Sequence, residues 1–302
     1  QKIKFHIVLK KNYCQQMPQN KLMTNKNPNL NTQNTLQNSS GERIQKVLAQ
    51  SGFGSRREIE KAIVDERVLV NNKIAKVGQS ITPSDKISLN GKLIFLSNSN
   101  NLPRVLIYHK PEGEIVSEND PVGRTNVFQN LPRIKNGKWI SIGRLDFNTS
   151  GLLIFTSNGE LANKMMHPKY EVDREYSVRI LGEVSEEQIK KFTKGIDLDD
   201  GTAKFESISF EGGEGANKWY RVVLKEGRNR EVRRMFGHFN LTVSRLIRVR
   251  FGIVILPSHI KRGMHTELTQ AEVSRLLQKH EMNPNDFNKP QLSNQKKRNR
   301  RV

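Results

Sequence analysis

Apolar residues in this chain come in short runs. Val68-Leu69-Val70, Val105-Leu106-Ile107-Tyr108, Trp139-Ile140-Ser141-Ile142 and Leu152-Leu153-Ile154-Phe155 are each the length of one strand. Tyr176 to Ile180 and Trp219 to Leu224 alternate or nearly alternate as half-buried strands do. The longest run, Phe251 to Leu256, is broken by Gly252, whereas a bilayer requires roughly 18 apolar residues. A membrane-spanning helix is therefore excluded. Between the strands lie amphipathic stretches that open on capping boxes: Ser55 with Glu58, Ser185 with Gln188, Thr269 with Glu272. Helices and strands interleave with hairpin-like turns, and no internal repeat is visible. The expected class is α+β with a large mixed or antiparallel sheet.

The pattern divides the chain. From Glu42, Ile44, Val47 and Leu48 mark one helix face that Gly52 can end. Ser55 opens a second helix with Ile59, Ala62 and Ile63 inward and Arg56, Arg57 and Lys61 elsewhere. Short strands follow at Val68–Val70, around Ile74, at Lys86–Leu89 and at Leu93–Leu96, with turns at Asn71-Asn72 and Asn90-Gly91. This sets one domain at 42–97, a polar linker at 97–101 and a larger domain at 102–280.

Charge completes the division. Lys plus Arg number 51 and Asp plus Glu 30, a net +21. Residues 1–41 contain no acid and six lysines, and 289–302 contain no acid and six Lys or Arg. The tails, 1–41 and 281–302, are rich in Asn and Gln and poor in aromatics, so both are expected to be disordered. A basic tail either solubilises or attracts polyanions through counterion release. The folded part is itself basic, which makes nucleic acid the expected partner. Cys14 is the only cysteine, which excludes an intramolecular disulfide or a cysteine-cluster zinc site and points to a reducing compartment, the cytoplasm. Ile7-Val8-Leu9 is too brief for a secretory signal.

The sequence has no Gly-rich phosphate loop, no G-x-G-x-x-G, no metal-spaced His pair and no Ser-His-Asp signature. No cofactor and no metal are expected. The most informative stretch is Ser141-Ile142-Gly143-Arg144-Leu145-Asp146-Phe147-Asn148-Thr149-Ser150-Gly151-Leu152-Leu153. Its acid, amide, hydroxyl and glycine residues are ordinary turn formers between two buried strands. On these residues alone the turn is the stronger reading; Asp146 is also a candidate reactive carboxylate, with Arg144 placed to hold it ionised.

Two resemblances sharpen this reading. Glu42 to Leu96 resembles the S4 RNA-binding domain, through Arg43 to Ala49, Gly52 to Arg57 and Val68 to Asn71. That resemblance implies RNA contact by Arg43, Lys46, Ser55, Arg56, Arg57 and Lys61; the plainer alternative is a solvated helix face. Further on stand Gly143-Arg144-Leu145-Asp146, Thr149 to Leu153, Leu161-Ala162, His167-Pro168, Arg174-Glu175-Tyr176-Ser177-Val178 and Glu226 to Phe236. Together and in order, these resemble the RsuA family of RNA pseudouridine synthases, many of which carry an S4 domain. The resemblance spans Glu42 to Leu268.

The resemblance implies cofactor-free isomerisation of a flipped-out uridine to pseudouridine. Asp146 would be the nucleophile, at the ribose anomeric carbon or at the base. Tyr176 would stack on the base, and Arg233 would pair with Asp146 or a phosphate. The chemistry is coherent, because glycosidic cleavage needs a nucleophile and a base taken out of its stack. The alternatives are a core tyrosine and one charge of a basic helix. Arg144, Arg228, Arg230, Arg234, Arg245, Arg248 and Arg250 are expected to line the RNA path, although Arg245 and Arg248 cannot share one face of an ideal strand. Arg228 to Arg234 and Val243 to Arg250 look most like the branch of the family that acts on large-subunit rRNA. That implies a uridine of a 23S rRNA stem-loop near the peptidyl transferase centre, with 16S rRNA the alternative. The expected partner is rRNA in a ribosomal subunit or assembly intermediate, met by a monomer. A non-catalytic S4-containing assembly factor is the competing reading, and it would tolerate Asp146→Asn. A metal-dependent nuclease lacks the carboxylate cluster it would need.

Overall fold

The computed structural model describes residues 41–94, 102–134 and 137–287. The polar linker, the end of the strand expected to reach Leu96, and the expected disordered tails apart from 281–287 lie outside the described residues.

The first part contains β1 (Glu42–Arg43), α1 (Ile44–Gln50), α2 (Arg56–Val64), β2 (Val68–Val70), β3 (Lys73–Ile74), β4 (Ser80–Ile81), β5 (Ile87–Leu89) and β6 (Lys92–Ile94). Ile44 and Leu48 leave one face of α1, and Ile59, Ala62 and Ile63 one face of α2. They bury against Val68, Val70 and Ile87, each large side chain contributing roughly 1.5–3 kcal/mol. The Ser55–Glu58 capping box forms as read, a cap of this kind being worth roughly 1 kcal/mol. Asn71-Asn72 and Asn90-Gly91 all take positive φ, 50°, 65°, 51° and 74°. These are the two-residue turns that match strand twist, and they set the antiparallel sheet β3-β2-β5-β6.

The second part contains β7 (Val105–Lys110), β8 (Ile140–Ile142), β9 (Ser150–Thr156), α3 (Gly159–Met166), β10 (Arg174–Leu181), α4 (Glu186–Lys194), β11 (Ile196–Leu198), β12 (Gly201–Ala203), β13 (Ser207–Gly212), β14 (Asn217–Leu224), α5 (Glu231–His238), β15 (Thr242–Phe251), β16 (Val254–Ile255), β17 (His265–Glu267) and α6 (Gln270–Lys279). Nine strands join one sheet in the order β13-β14-β10-β15-β9-β7-β17, with β8 also on β9 and β16 on β15. Neighbours are antiparallel except β9 and β15, which run parallel through Ile247 opposite Ser150 and Arg248 opposite Gly151. Gly151 is required there: its φ is 107°, and a Cβ would lie 2.2 Å from the Arg248 carbonyl oxygen.

The uninterrupted apolar runs of β7 and β9 follow from burial on both sheet faces. Leu106, Tyr108, Leu153 and Phe155 enter one core with the aromatics of α4 and α5. Val105, Ile107, Leu152 and Ile154 enter the other, with α3 and α6. In the first core Phe192 of α4 meets Phe205, Phe236 and Phe239 at ring distances of 5.2, 5.0 and 4.9 Å. Those contacts seat α5 on the sheet.

The strands β11, β12, β13 and β17 were not legible in the sequence. β13 is a largely exposed edge strand with no clean alternation, and the others have three residues each. Residues 281–287 correct the expected tail boundary. Met282 is buried in the second core and Phe287 packs on it, so the packed structure continues past 280.

Candidate active site

The cleft of interest is built chiefly from four pieces of chain, with Met166 of α3 also lining it. They are the loop between β8 and β9, the start of β10, the turn before α5, and the inner part of β15. It measures about 350 Å³, and Asp146 and Tyr176 both line it, with Arg144, Arg174, Arg228, Arg230 and Arg248. The two residues assigned from the resemblance to nucleophile and stacking face thus meet in one place.

The loop after Asp146 is held by its main chain. Gly113 donates its N–H to the Phe147 carbonyl at 2.9 Å. Arg233 on α5 donates Nη2 to the Asn148 carbonyl at 2.8 Å. Lys110 at the end of β7 donates Nζ to the Thr149 carbonyl at 2.9 Å and to that of Pro111 at 2.8 Å. Three successive carbonyls are therefore taken by two separate pieces of chain, the end of β7 with the turn after it, and α5. The Thr149 N–H closes a turn onto the Asp146 carbonyl at 3.1 Å. The half-buried Asp146 carboxylate has no hydrogen-bond or ion-pair partner among the described residues. It is presented to the cleft without a structural duty of its own.

Electrostatics around the loop follow from burial. Lys110 is fully buried. Burial pushes its amine down to about 8, against the partial opposition of the Glu114, Asp146 and Glu112 carboxylates. Glu114 itself accepts from the Tyr108 hydroxyl at 2.7 Å and from the Asn130 amide at 3.0 Å. Burial raises the Tyr108 phenol above its ordinary value, with the Glu114 bond adding to the rise. Arg233 is lowered, first by burial and then by Arg230, while Asp146 favours its charge.

The sequence-assigned arginines fall into distinct groups. Arg144, Arg230 and Arg245 are exposed, with no hydrogen bond or ion pair among the described residues. Arg144 does not bridge to Asp146, so the pairing considered from the sequence is not formed. Arg233 reaches the loop through the Asn148 carbonyl and bonds the Val243 carbonyl at 2.8 Å, rather than bonding the Asp146 carboxylate. Arg228 is committed to Glu231, Glu226 and Asp200 and to the Gly201 and Thr202 carbonyls. Arg234 grips both carboxylate oxygens of Asp200 at 2.8 Å. Arg250 bonds Glu175. Arg245 and Arg248 take opposite faces as strand geometry requires: Arg248 is only 2% exposed. Those tied to carboxylates and carbonyls are part of the protein's own architecture.

In the first part, Arg56, Arg57 and Lys61 of α2 are exposed and have no such partners among the described residues. The Lys46 amine pairs with Glu42 at 2.8 Å, and Arg43 donates to the Gly78 carbonyl. The Ser55 hydroxyl accepts the Glu58 N–H at 3.2 Å, so its principal contact is the helix cap.

Sequence reasoning missed Lys110, the guanidinium of Arg174 and the Asp200 clamp. Lys110 carried a signal: a cation two residues after a four-residue apolar run, directly before a proline. Arg174 carried one too, since it shares the inward face of β10 with Tyr176. Asp200 had none, because its partners are distant in sequence. Among the described residues no group of three His, Cys, Asp or Glu could hold a metal ion. No helix among them is long and apolar enough to cross a membrane.

Residues 104–238 match the family model described as RNA pseudouridylate synthase, and residues 42–87 match the S4 domain. The ribosomal large subunit pseudouridine synthase B of Yersinia pestis is 52% identical over 231 residues, 76% of this chain and 73% of that one. The protein of the same name from Escherichia coli O6:H1 is 49% identical over 260 residues, 85% of this chain and 89% of that one. A crystal structure of a pseudouridylate synthase superposes with a TM-score of 0.54 at 27% identity, covering 78% of this chain and 99% of the other.

Proposed function

The chain belongs to the RNA pseudouridylate synthase family, and from that premise we propose that it isomerises one uridine of bacterial large-subunit rRNA to pseudouridine. The observation that carries the reading is the convergence of Asp146 and Tyr176 on one arginine-lined cleft, with the Asp146 loop braced and its carboxylate unpartnered. The relatives named above support large-subunit rRNA as the substrate, and a 23S stem-loop near the peptidyl transferase centre is the proposed location.

In this reading Asp146 is the nucleophile. A carboxylate that attacks the nucleotide splits one difficult exchange into two easier steps. The tight loop keeps the carboxylate aimed while the detached base turns. Tyr176 offers a face for the unstacked uracil, a contact that tolerates any neighbouring sequence. Extrusion costs least for an unpaired or loop uridine. Arg233 positions the loop through Asn148. The exposed Arg56, Arg57 and Lys61 of α2 dock rRNA phosphates, and Arg144 and Arg230 meet the strand at the cleft mouth. The substrate is rRNA within a ribosomal subunit or an assembly intermediate, in the cytoplasm, and the protein acts as a monomer.

Pseudouridine mapping tests this. Unmodified 23S and 16S transcripts are incubated with the protein, treated with carbodiimide and read by primer extension. The expected result is one new stop in 23S rRNA that Asp146→Asn abolishes, a loss of about a thousandfold or more, while RNA affinity is retained. A stop in 16S rRNA instead makes small-subunit rRNA the substrate. A stop that persists with Asp146→Asn removes the nucleophile assignment.

A further inference from the structure

Arg174 is a charged member of the cleft to which the proposed reaction assigns no task, and the inference drawn from it rests on that reaction. It stands two residues before Tyr176 on β10, so both side chains leave the same strand face. Its guanidinium lies 4.9 Å from the centre of the Phe251 ring. On another side it is covered by Gly227, where a Cβ would come within 3.2 Å of Nε. Nη1 donates to the carbonyls of Val172 and Lys225. Nε and Nη2 have no hydrogen-bond partner, and no carboxylate stands within ion-pair distance of the group, among the described residues.

Arg248 stands 5.1 Å from the same ring. It donates Nε to the Leu152 carbonyl at 2.7 Å, and its Nη2 is buried without a partner. Two guanidiniums thus flank one phenylalanine, and each hydrogen-bonds only to backbone carbonyls. Burying cations without an ion-pair partner is costly: burial lowers the basicity of Arg174 and Arg248 adds to the fall, against the partial opposition of Tyr176, Glu231 and Glu226. Both arginines line the cleft that holds Asp146 and Tyr176.

We propose that Arg174, backed by Arg248, binds the uracil ring by the oxygen that becomes negative during the reaction. A base stacked on Tyr176 turns an edge toward the next side chain on that strand face, roughly 6.5–7 Å along. A phosphodiester continues into the chain on both sides and stays at the mouth, beside the exposed Arg144 and Arg230. The recessed Arg174 suits the ring itself.

The electron count places charge there by either route open to Asp146. Attack at C1′ breaks the C1′–N1 bond, and its electron pair passes to N1 and O2. Addition at C6 sends the C5–C6 pair to C5 and O4. Later C5 bonds to C1′, displacing the Asp146 carboxylate in the first route; in the second the C1′–N1 bond breaks before C5 bonds to C1′, and the carboxylate then leaves C6. C5 gives up its proton and N1 ends with one, so no atom is gained or lost. In both routes a ring oxygen is more negative in the intermediate than in the bound uridine. A guanidinium aimed at it therefore lowers the barrier rather than merely adding affinity.

The test measures single-turnover rate and RNA affinity separately, on the 23S transcript, for the wild type, Arg174→Gln, Arg174→Lys and Gly227→Ala. Arg174→Gln is expected to slow the saturated rate about a hundredfold or more, with Kd within about threefold of wild type. Arg174→Lys should recover part of that rate, since the charge remains. Gly227→Ala keeps every charge but pushes on Nε, and it should slow the rate with unchanged Kd. A near-wild-type rate for folded Arg174→Gln overturns the proposal. So does weakened affinity with a normal saturated rate, the signature of a phosphate contact. If Arg174→Gln loses its cooperative melting transition, Gly227→Ala decides, and an unchanged rate there overturns the proposal. A wild-type protein that forms no pseudouridine in 23S or 16S rRNA overturns instead the isomerisation reading on which this one stands.

Discussion

The loop after Asp146 and the exposed side of α2 use the same chemistry to opposite ends. Around the loop, Lys110 and Arg233 spend their donors on the carbonyls of Thr149 and Asn148. On α2, Arg56, Arg57 and Lys61 spend theirs on nothing in the protein among the described residues. The first arrangement fixes a backbone; the second leaves charge for a polyanion. A cation's task here is set by whether a carbonyl or carboxylate lies within reach, which residue type alone does not reveal.

Three substitutions sharpen that contrast. The largest effect is expected from Lys110→Met, which removes the brace at Thr149. Turnover should fall about a hundredfold through misplacement of Asp146, with RNA affinity unchanged. Its stability should also report the buried charge. The Lys110 amine is moved from 10.5 to about 8 in the folded protein. Between those values the unfolded chain holds the proton and the native state does not, so this residue's contribution to stability rises with pH. Below about 8 the penalty of the charged amine is fully present. Wild type should therefore gain on Lys110→Met in urea denaturation as the pH climbs from 8 to 10.5. A constant gap would show that the lysine carries no such penalty.

The double substitution Arg56→Ala, Arg57→Ala is expected to act on binding alone. Affinity should weaken about tenfold, and the slope of log affinity against log salt should flatten by roughly 1.4–1.8 for two lost phosphate contacts. Saturated turnover should not change. An unaltered slope would place the docking surface elsewhere.

The smallest effect belongs to Asp200→Asn, which frees Arg234 and part of Arg228. If these guanidiniums then face RNA, affinity should tighten about two- to threefold as an acid leaves the path. Looser binding in a filter assay would mean that the clamp shapes the turn ahead of α5, and that its arginines serve the fold only.

Much of this molecule was legible in its residues, for identifiable reasons. Capping boxes at Ser55, Ser185 and Thr269 all form, because a cap is a local event three residues long. The run Leu152 to Phe155 is a strand buried on both faces, as its lack of polar residues implied. Asp146 and Tyr176, singled out on the resemblance, line one cleft. What could not be read was non-local. Nothing near Arg234 announces Asp200, since a hairpin and a helix must pack before the two meet. Arg248 looked like one more cation of a basic strand, and the parallel pairing of β15 with β9 carries it inside. Lys46 and Ser55, taken for RNA contacts, also have partners within their own helices' entries, Glu42 and Glu58.

The main-chain bracing of residues 147–149 has an evolutionary consequence. Because those bonds involve carbonyls, the shape of the loop does not depend on which side chain stands at 146. With Asp146 as the proposed nucleophile, a single codon change there is expected to extinguish the chemistry and leave the fold in place. On that proposal the scaffold is one mutation from a silent binder of the same rRNA, able to hold it without marking it. Selection on position 146 is then selection on the modified nucleotide itself, separable from selection on the protein's presence at the ribosome.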